Sequence, residues 1–142
     1  FRGRVTRLGL GNFTLLDYQP YSMMPRIYSA SDVCLVPQAT ETGCDAVPSK
    51  VYRIMACARP VLATTDPESD LANLIREAGC GAIVPPGSPS ELAGVIRDAY
   101  REQARWKEMG QAGRTHVVEH YSRHSVTERY CELIQTVINE GR

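Results

Sequence analysis

At 142 residues the chain allows one domain with a full hydrophobic core. An apolar share of 43% beside 23% charged residues excludes a disordered or fibrous chain. A formal net charge of zero removes any global field that would favour nucleic acid or an anionic membrane.

The opening residues, FRGRVTRLGLGN, read as the tail of a helix followed by a Gly-Asn turn. With Phe1 in place of an initiating methionine, the chain is expected to be a piece of something longer. Phe13 to Leu16 is a strand candidate ending at Asp17, and Tyr18-Gln19-Pro20-Tyr21 is a loop. Ser22 is a candidate N-cap for a short helix to about Ser29, with Pro25 in its tolerant first turn. Val33 to Val36 is wholly apolar and stopped by Pro37, which predicts a strand buried on both faces.

Next comes the longest loop, Gln38 to Val47, and then the stretch on which the chain is organised, CDAVPSKVYRIMACARPVLATT from Cys44 to Thr65. Asp45 precedes a Pro48-Ser49-Lys50 corner, an amphipathic helical run covers Val51 to Cys57, and Ala58-Arg59-Pro60 breaks it. A short apolar strand, Val61 to Thr64, follows. Free N–H groups, the positive end of the helix dipole, a hydroxyl and a lysine make that corner a natural phosphate site. Lys50 and Lys107 are the only lysines among 16 basic residues.

A helix from about Ser69 to Ala78 is ended by Gly79-Cys80-Gly81, and Ala82-Ile83-Val84 is the next strand. Ser88-Pro89-Ser90-Glu91 has the form of a capping box, which also accounts for the Pro86-Gly87-Ser88 turn. Three helical runs, about 89–104, 105–120 and 124–139, finish the chain. Alternating strands and helices predict an α/β domain, a Rossmann-like parallel sheet of about four strands flanked by helices with a helical C-terminal tail. Ligands in such sheets bind at the carboxyl ends of the strands, the edge to which Ser49 and Lys50 belong.

Five dispersed cysteines without a C-x-x-C spacing argue for a reducing compartment and against a disulfide framework or zinc site. No apolar run nears the roughly 20 residues of a membrane helix, and no signal peptide is visible. His116, His120 and His124 recur at four-residue steps, but no thiol or carboxylate completes a zinc geometry, so solvated helix positions are expected. Cys44 has no nearby histidine and reads as an inert thiol, and Glu41 as an exposed loop acid. Trp106, Tyr100, Tyr121 and Tyr130 are expected to pack the terminal helices.

The order SASDVCLVP, a polar loop, DAVPSKVYRIMACARPVLAT, then EAGCGAIVPPGSPSELAGVI resembles the second half of the C-terminal domain of GT-B glycosyltransferases. More narrowly it is similar to family 4 retaining enzymes of the polysaccharide-building branch, and the tail RWKEMGQAGRTHVVEHYS continues the likeness over roughly residues 12 to 139. The resemblance implies a partial GT-B C-terminal domain that binds a nucleotide-sugar donor, UDP- or GDP-linked, without a metal. It places Asp45 where an acid contacts the sugar, and Ser49 and Lys50 on the diphosphate. The ribose-contacting glutamate of the family falls on Arg53, which cannot accept a hydrogen bond. Tyr18 and Pro20, in the Tyr18–Tyr21 loop, would lie near the base.

By this reading residues 1–142 are one incomplete domain of a cytoplasmic hexosyltransferase. Peripheral docking of the parent enzyme at the inner membrane stays open, and its missing N-terminal domain is expected to bind a polysaccharide or lipid-linked acceptor. Asp45 and Lys50 carry the catalytic roles, and the fragment alone is inactive. Two other readings stay open: a non-catalytic nucleotide- or phosphate-binding Rossmann-like module, and a structural interaction domain with no ligand at the corner. The last helix, apolar at Val126, Tyr130, Leu133, Ile134 and Val137, is expected either to fold back or to mediate self-association.

Overall fold

The computed structural model describes residues 2–38 and 46–140. Glu41, Cys44 and Asp45 lie outside the described residues, so the expectations placed on them are not addressed by it.

A helix α1 (Arg2–Arg7) turns at Gly9 into a segment, residues 13–20, without regular secondary structure. A 3-10 turn, Tyr21–Met23, leads into α2 (Met24–Ser29), then β1 (Cys34–Pro37), α3 (Lys50–Ala56), β2 (Val61–Thr64), α4 (Asp70–Ala78) and β3 (Gly81–Val84). Three helices complete the chain: α5 (Pro89–Arg101), α6 (Gln103–Tyr121) and α7 (Arg123–Glu140).

The sheet is parallel with strand order β1-β2-β3, in the register Cys34–Val61–Gly81 to Pro37–Thr64–Val84. It has three strands among the described residues; the fourth expected, at Phe13–Leu16, is not formed. A largely apolar stretch becomes a strand only where a neighbour takes its backbone bonds, and here the segment runs outside the sheet.

β2 is the buried centre, with Val61 and Ala63 facing one cluster and Leu62 the other. α3, α4 and α6 cover the first face through Val51, Ile54, Met55, Leu71, Leu74, Ile75 and Val117. α5 and the start of α6 cover the second, where Leu62, Val84, Ala99 and Trp106 meet. β1 departs from its expected two-sided burial. Cys34 and Val36 are buried, but Leu35 keeps 49% of its surface in water, because β1 is a sheet edge and α5 packs on β3 rather than over it.

α6 has residues in both clusters, so it crosses the amino end of the sheet. Two glycines permit this. A Cβ at Gly110 would stand 2.4 Å from the Ala58 carbonyl oxygen, and one at Gly113 would stand 2.7 Å from the Cys80 Cβ. The Arg114 guanidinium donates to the Ala56 carbonyl, tying α6 to the end of α3. Trp106 Nε1 donates to Asp98 Oδ2 at 3.2 Å, which Arg105 also engages, and so joins α6 to α5.

Of the four serines placed at helix starts, only Ser69 caps with its side chain, accepting from the Ala72 N–H at 3.2 Å. Ser69 has the extended conformation that aims Oγ back at the first turn (φ −72, ψ 156). Ser49 is already helical (φ −56, ψ −23), and Ser88 lies between these states (φ −105, ψ 67); neither side chain caps. At the foot of α2 the N-cap is Met23, not Ser22. The capping box at Ser88 is therefore not made, although Pro89 does open α5 as expected.

Tyr100 and Tyr130 do not pack the terminal helices; they are 78% and 63% exposed. α7 buries none of its residues, so it does not fold back over the core.

Candidate functional site

The carboxyl ends of the three strands share one edge, and a buried line of side chains organises it. The Ala72 N–H donates to Ser69 Oγ, and the Ser69 and Thr65 hydroxyls are 2.8 Å apart. Thr65 Oγ1 donates to Gln38 Oε1, and Gln38 Nε2 donates to the Ala46 carbonyl at 3.1 Å. A hydroxyl has one proton, so with Thr65 donating to Gln38, Ser69 must donate to Thr65. The line thus runs in one direction, from the first turn of α4 to the loop before α3. Thr65 and Ser69 are 1% and 3% exposed, and a buried group left without its bond costs about 1–3 kcal/mol. This network, which no local sequence pattern announces, ties the Ala46 carbonyl to the carboxyl ends of β1 and β2 just ahead of α3.

Lys50 is the first residue of α3 and half-buried, and no described carboxylate forms an ion pair with it. Ser49 precedes it, exposed, with its hydroxyl not used as a cap. Arg53, one turn further on, is exposed and turned toward the 3-10 segment, its guanidinium carbon 4.9 Å from the centre of the Tyr21 ring. That is a cation–π contact. The sequence points to Tyr18 and Pro20 in this loop, but the residue that meets α3 is Tyr21; Tyr18 is 94% exposed and Pro20 is also exposed. Beside the Arg53–Tyr21 pair lies an apolar cavity of about 410 Å³, with Met24, Pro25, Tyr28 and Cys57 in its wall. A contact between residues so far apart in the chain leaves no trace in either local stretch.

The other titratable candidates fall away from this edge. His116 is half-buried, not solvated: its ring lies 4.5 Å from that of His120 and 5.9 Å from that of Tyr121, which in turn lies 4.7 Å from Tyr52. These rings fill the contact between α3 and α6. Among the described residues no three His, Cys, Asp or Glu side chains cluster as metal ligands would. Burial raises the Cys34 thiol and pushes Cys80 up to about 11, so both are protonated near neutrality and poor nucleophiles. No helix among the described residues is long and apolar enough to cross a membrane.

The arrangement is one cation at the carboxyl edge of a parallel sheet, a second beside an aromatic-walled cavity, and a loop held by a buried network. Comparison with known proteins bears on the fold and the family. Sucrose-phosphate synthase from Thermosynechococcus elongatus has the same fold over 98% of this chain, with a TM-score of 0.80 at 24% identity, and the chain covers 34% of it. The Pseudomonas aeruginosa protein described as "Probable glycosyltransferase WbjE" is 27% identical over 114 residues, which are 80% of this chain and 28% of that protein. The chain therefore spans about a third or less of either relative. It has the α/β architecture of a partial GT-B domain. Residues 2–102, more than two thirds of the chain, match the family "Glycosyl transferases group 1", to which this chain belongs.

Proposed function

We propose that this chain is the donor-binding part of a retaining glycosyltransferase, one incomplete domain of a longer enzyme. That enzyme transfers a hexose-type sugar from a UDP- or GDP-linked donor to a polysaccharide or lipid-linked acceptor. The observation that carries the reading is Lys50: a half-buried ammonium at the carboxyl edge of the sheet, within the family match and without a described ion-pair partner. Departure of a nucleoside diphosphate places negative charge on its terminal phosphate. A fixed ammonium there stabilises the transition state more than the ground state. Ser49 adds a hydroxyl donor beside it, and this charge serves in place of a metal. Arg53 contributes a second cation, and the cavity walled by Tyr21 and Tyr28 suits a flat base reached past Tyr18 and Pro20. Asp45 accepts from the sugar hydroxyls. Activity needs the acceptor-binding N-terminal domain to close over this edge, so residues 1–142 alone bind donor without turnover. The reaction is placed in the cytoplasm, with the longer enzyme peripheral at the inner membrane.

A second reading, a non-catalytic nucleotide- or phosphate-binding module, draws on Arg53, whose guanidinium is engaged by Tyr21 and cannot accept from ribose. Calorimetric titration with UDP, GDP and their sugar conjugates tests the site, with Lys50→Ala as the control. One nucleotide should bind, and the variant should lose roughly tenfold to a hundredfold in affinity, the worth of a charge-assisted contact. Binding indifferent to Lys50→Ala would refute the phosphate role. Sugar transfer by the longer polypeptide, abolished by the same substitution, separates the enzyme from the module.

A further inference from the structure

Gln38 is the first residue past β1, and both ends of its amide are engaged. Its Oε1 accepts from the Thr65 hydroxyl, and its Nε2 donates to the Ala46 carbonyl at 3.1 Å. Its backbone N–H donates to the Thr64 carbonyl at 2.8 Å, which fixes the residue itself to the end of β2. One side chain thus joins the carboxyl edge of the sheet to the chain that enters α3.

Every residue from Ala46 to the corner is constrained in turn. Ala46 is exposed, so packing does little to place it, and the Gln38 amide holds its carbonyl. Val47 packs against the larger core cluster. Pro48 has its φ fixed by the ring, and its carbonyl accepts from the Val51 N–H at 2.9 Å. Ser49 is already helical, and Lys50 follows it directly. A shift at Ala46 is therefore passed on to Ser49 and Lys50, because no free hinge lies between them.

We propose that Gln38 is a positioning residue for this corner: it touches no ligand and acts by holding Ser49 and Lys50 where a diphosphate meets them. The inference rests on the donor-site reading above and adds a residue to it. A cation placed before its ligand arrives loses little freedom on binding, and a loosened support forfeits that advantage.

Calorimetric titration of Gln38→Met tests it, since methionine keeps the length and the neutrality while removing both amide bonds. For the nucleoside diphosphate that the parent chain binds, the variant should lose about tenfold in affinity. For the corresponding monophosphate, which lacks the terminal phosphate, the loss should stay under about twofold. In a Lys50→Ala background Gln38→Met should also add less than about twofold, because a residue that acts through Lys50 then has nothing to position. Thr65→Val, which removes the bond to Gln38 Oε1, should repeat this pattern in weaker form, and Thr65→Ser, which keeps the hydroxyl, should bind as the parent does. These two variants carry the same comparison if Gln38→Met does not fold. Equal losses for diphosphate and monophosphate, or a loss undiminished by Lys50→Ala, would overturn the proposal. Binding that needs Lys50 and ignores Gln38 would overturn it alone, whereas a parent chain that binds neither UDP nor GDP would strike the donor-site reading and this inference with it.

Discussion

The stretch from β1 through α6 and the two flanks around it are built on different terms. Every buried residue of the described chain falls between Cys34 and Val117, whereas α1, α2 and α7 bury none. The flanks are as apolar as the body in places: Leu8, Phe13 and Leu16 before it, and Leu133 and Val137 after it, are all exposed. Composition therefore does not separate the two regions. The difference is tertiary. In the body each apolar face meets another, with α6 reaching back to α3 among them, and the flanks meet too few.

The sharpest test is close approach within the body. Gly110→Ala forces a methyl toward the Ala58 carbonyl, where 2.4 Å is available. We expect a loss of about 3 kcal/mol in chemical denaturation, the upper range for overpacking, despite alanine's better helix propensity. Leu133→Ala in α7 should change monomer stability by no more than about 0.5 kcal/mol. Equal losses at the two sites would erase the distinction between body and flank.

A smaller effect belongs to the buried network. Thr65→Val keeps the shape and removes the hydroxyl, leaving the Ser69 hydroxyl proton and Gln38 Oε1 without the bonds that Thr65 gave them. The expected cost is about 2 kcal/mol, accompanied by weaker nucleotide binding if the anchored 46–48 loop matters to the corner. A variant as stable as the parent would show that water replaces the hydroxyl.

The smallest effect has the opposite sign. Ala58 holds φ at 54°, a left-handed conformation that disfavours a Cβ. Ala58→Gly should stabilise the body by about 0.5–1 kcal/mol, the relief of strain less the added freedom of the unfolded chain. A melting temperature that falls instead would mean that the methyl has packing value here.

Much of the body was legible in the sequence because its signals are local. The apolar run Val61–Thr64, the Gly79 stop and the Pro89 helix start each act within a few residues, and the structure has β2, the end of α4 and the start of α5 where they indicate. Elements failed where the outcome depends on a neighbour. Phe13–Leu16 has a strand's composition but lies outside the sheet, and β1 is apolar throughout yet covered on one face only. Serine caps failed where backbone geometry decides, since the Oγ of a helical Ser49 cannot reach the first-turn N–H groups. At the candidate site, Ser49 and Lys50 were legible as a corner. The meeting of Arg53 with Tyr21, and of Gln38 with Thr65 and Ser69, required the chain to be folded first.

The one-way hydrogen-bond line through Gln38 also acts as a mechanical linkage. Its far end is an ordinary amide, that of Ala72, whose proton is held by Ser69. Bonds in such a line strengthen one another, so displacement of the Ala46 carbonyl is expected to weaken those behind it and to speed hydrogen exchange at Ala72. The exchange rate of Ala72 is therefore a built-in gauge of the loop before α3, readable in the first turn of α4 without any label at the corner itself.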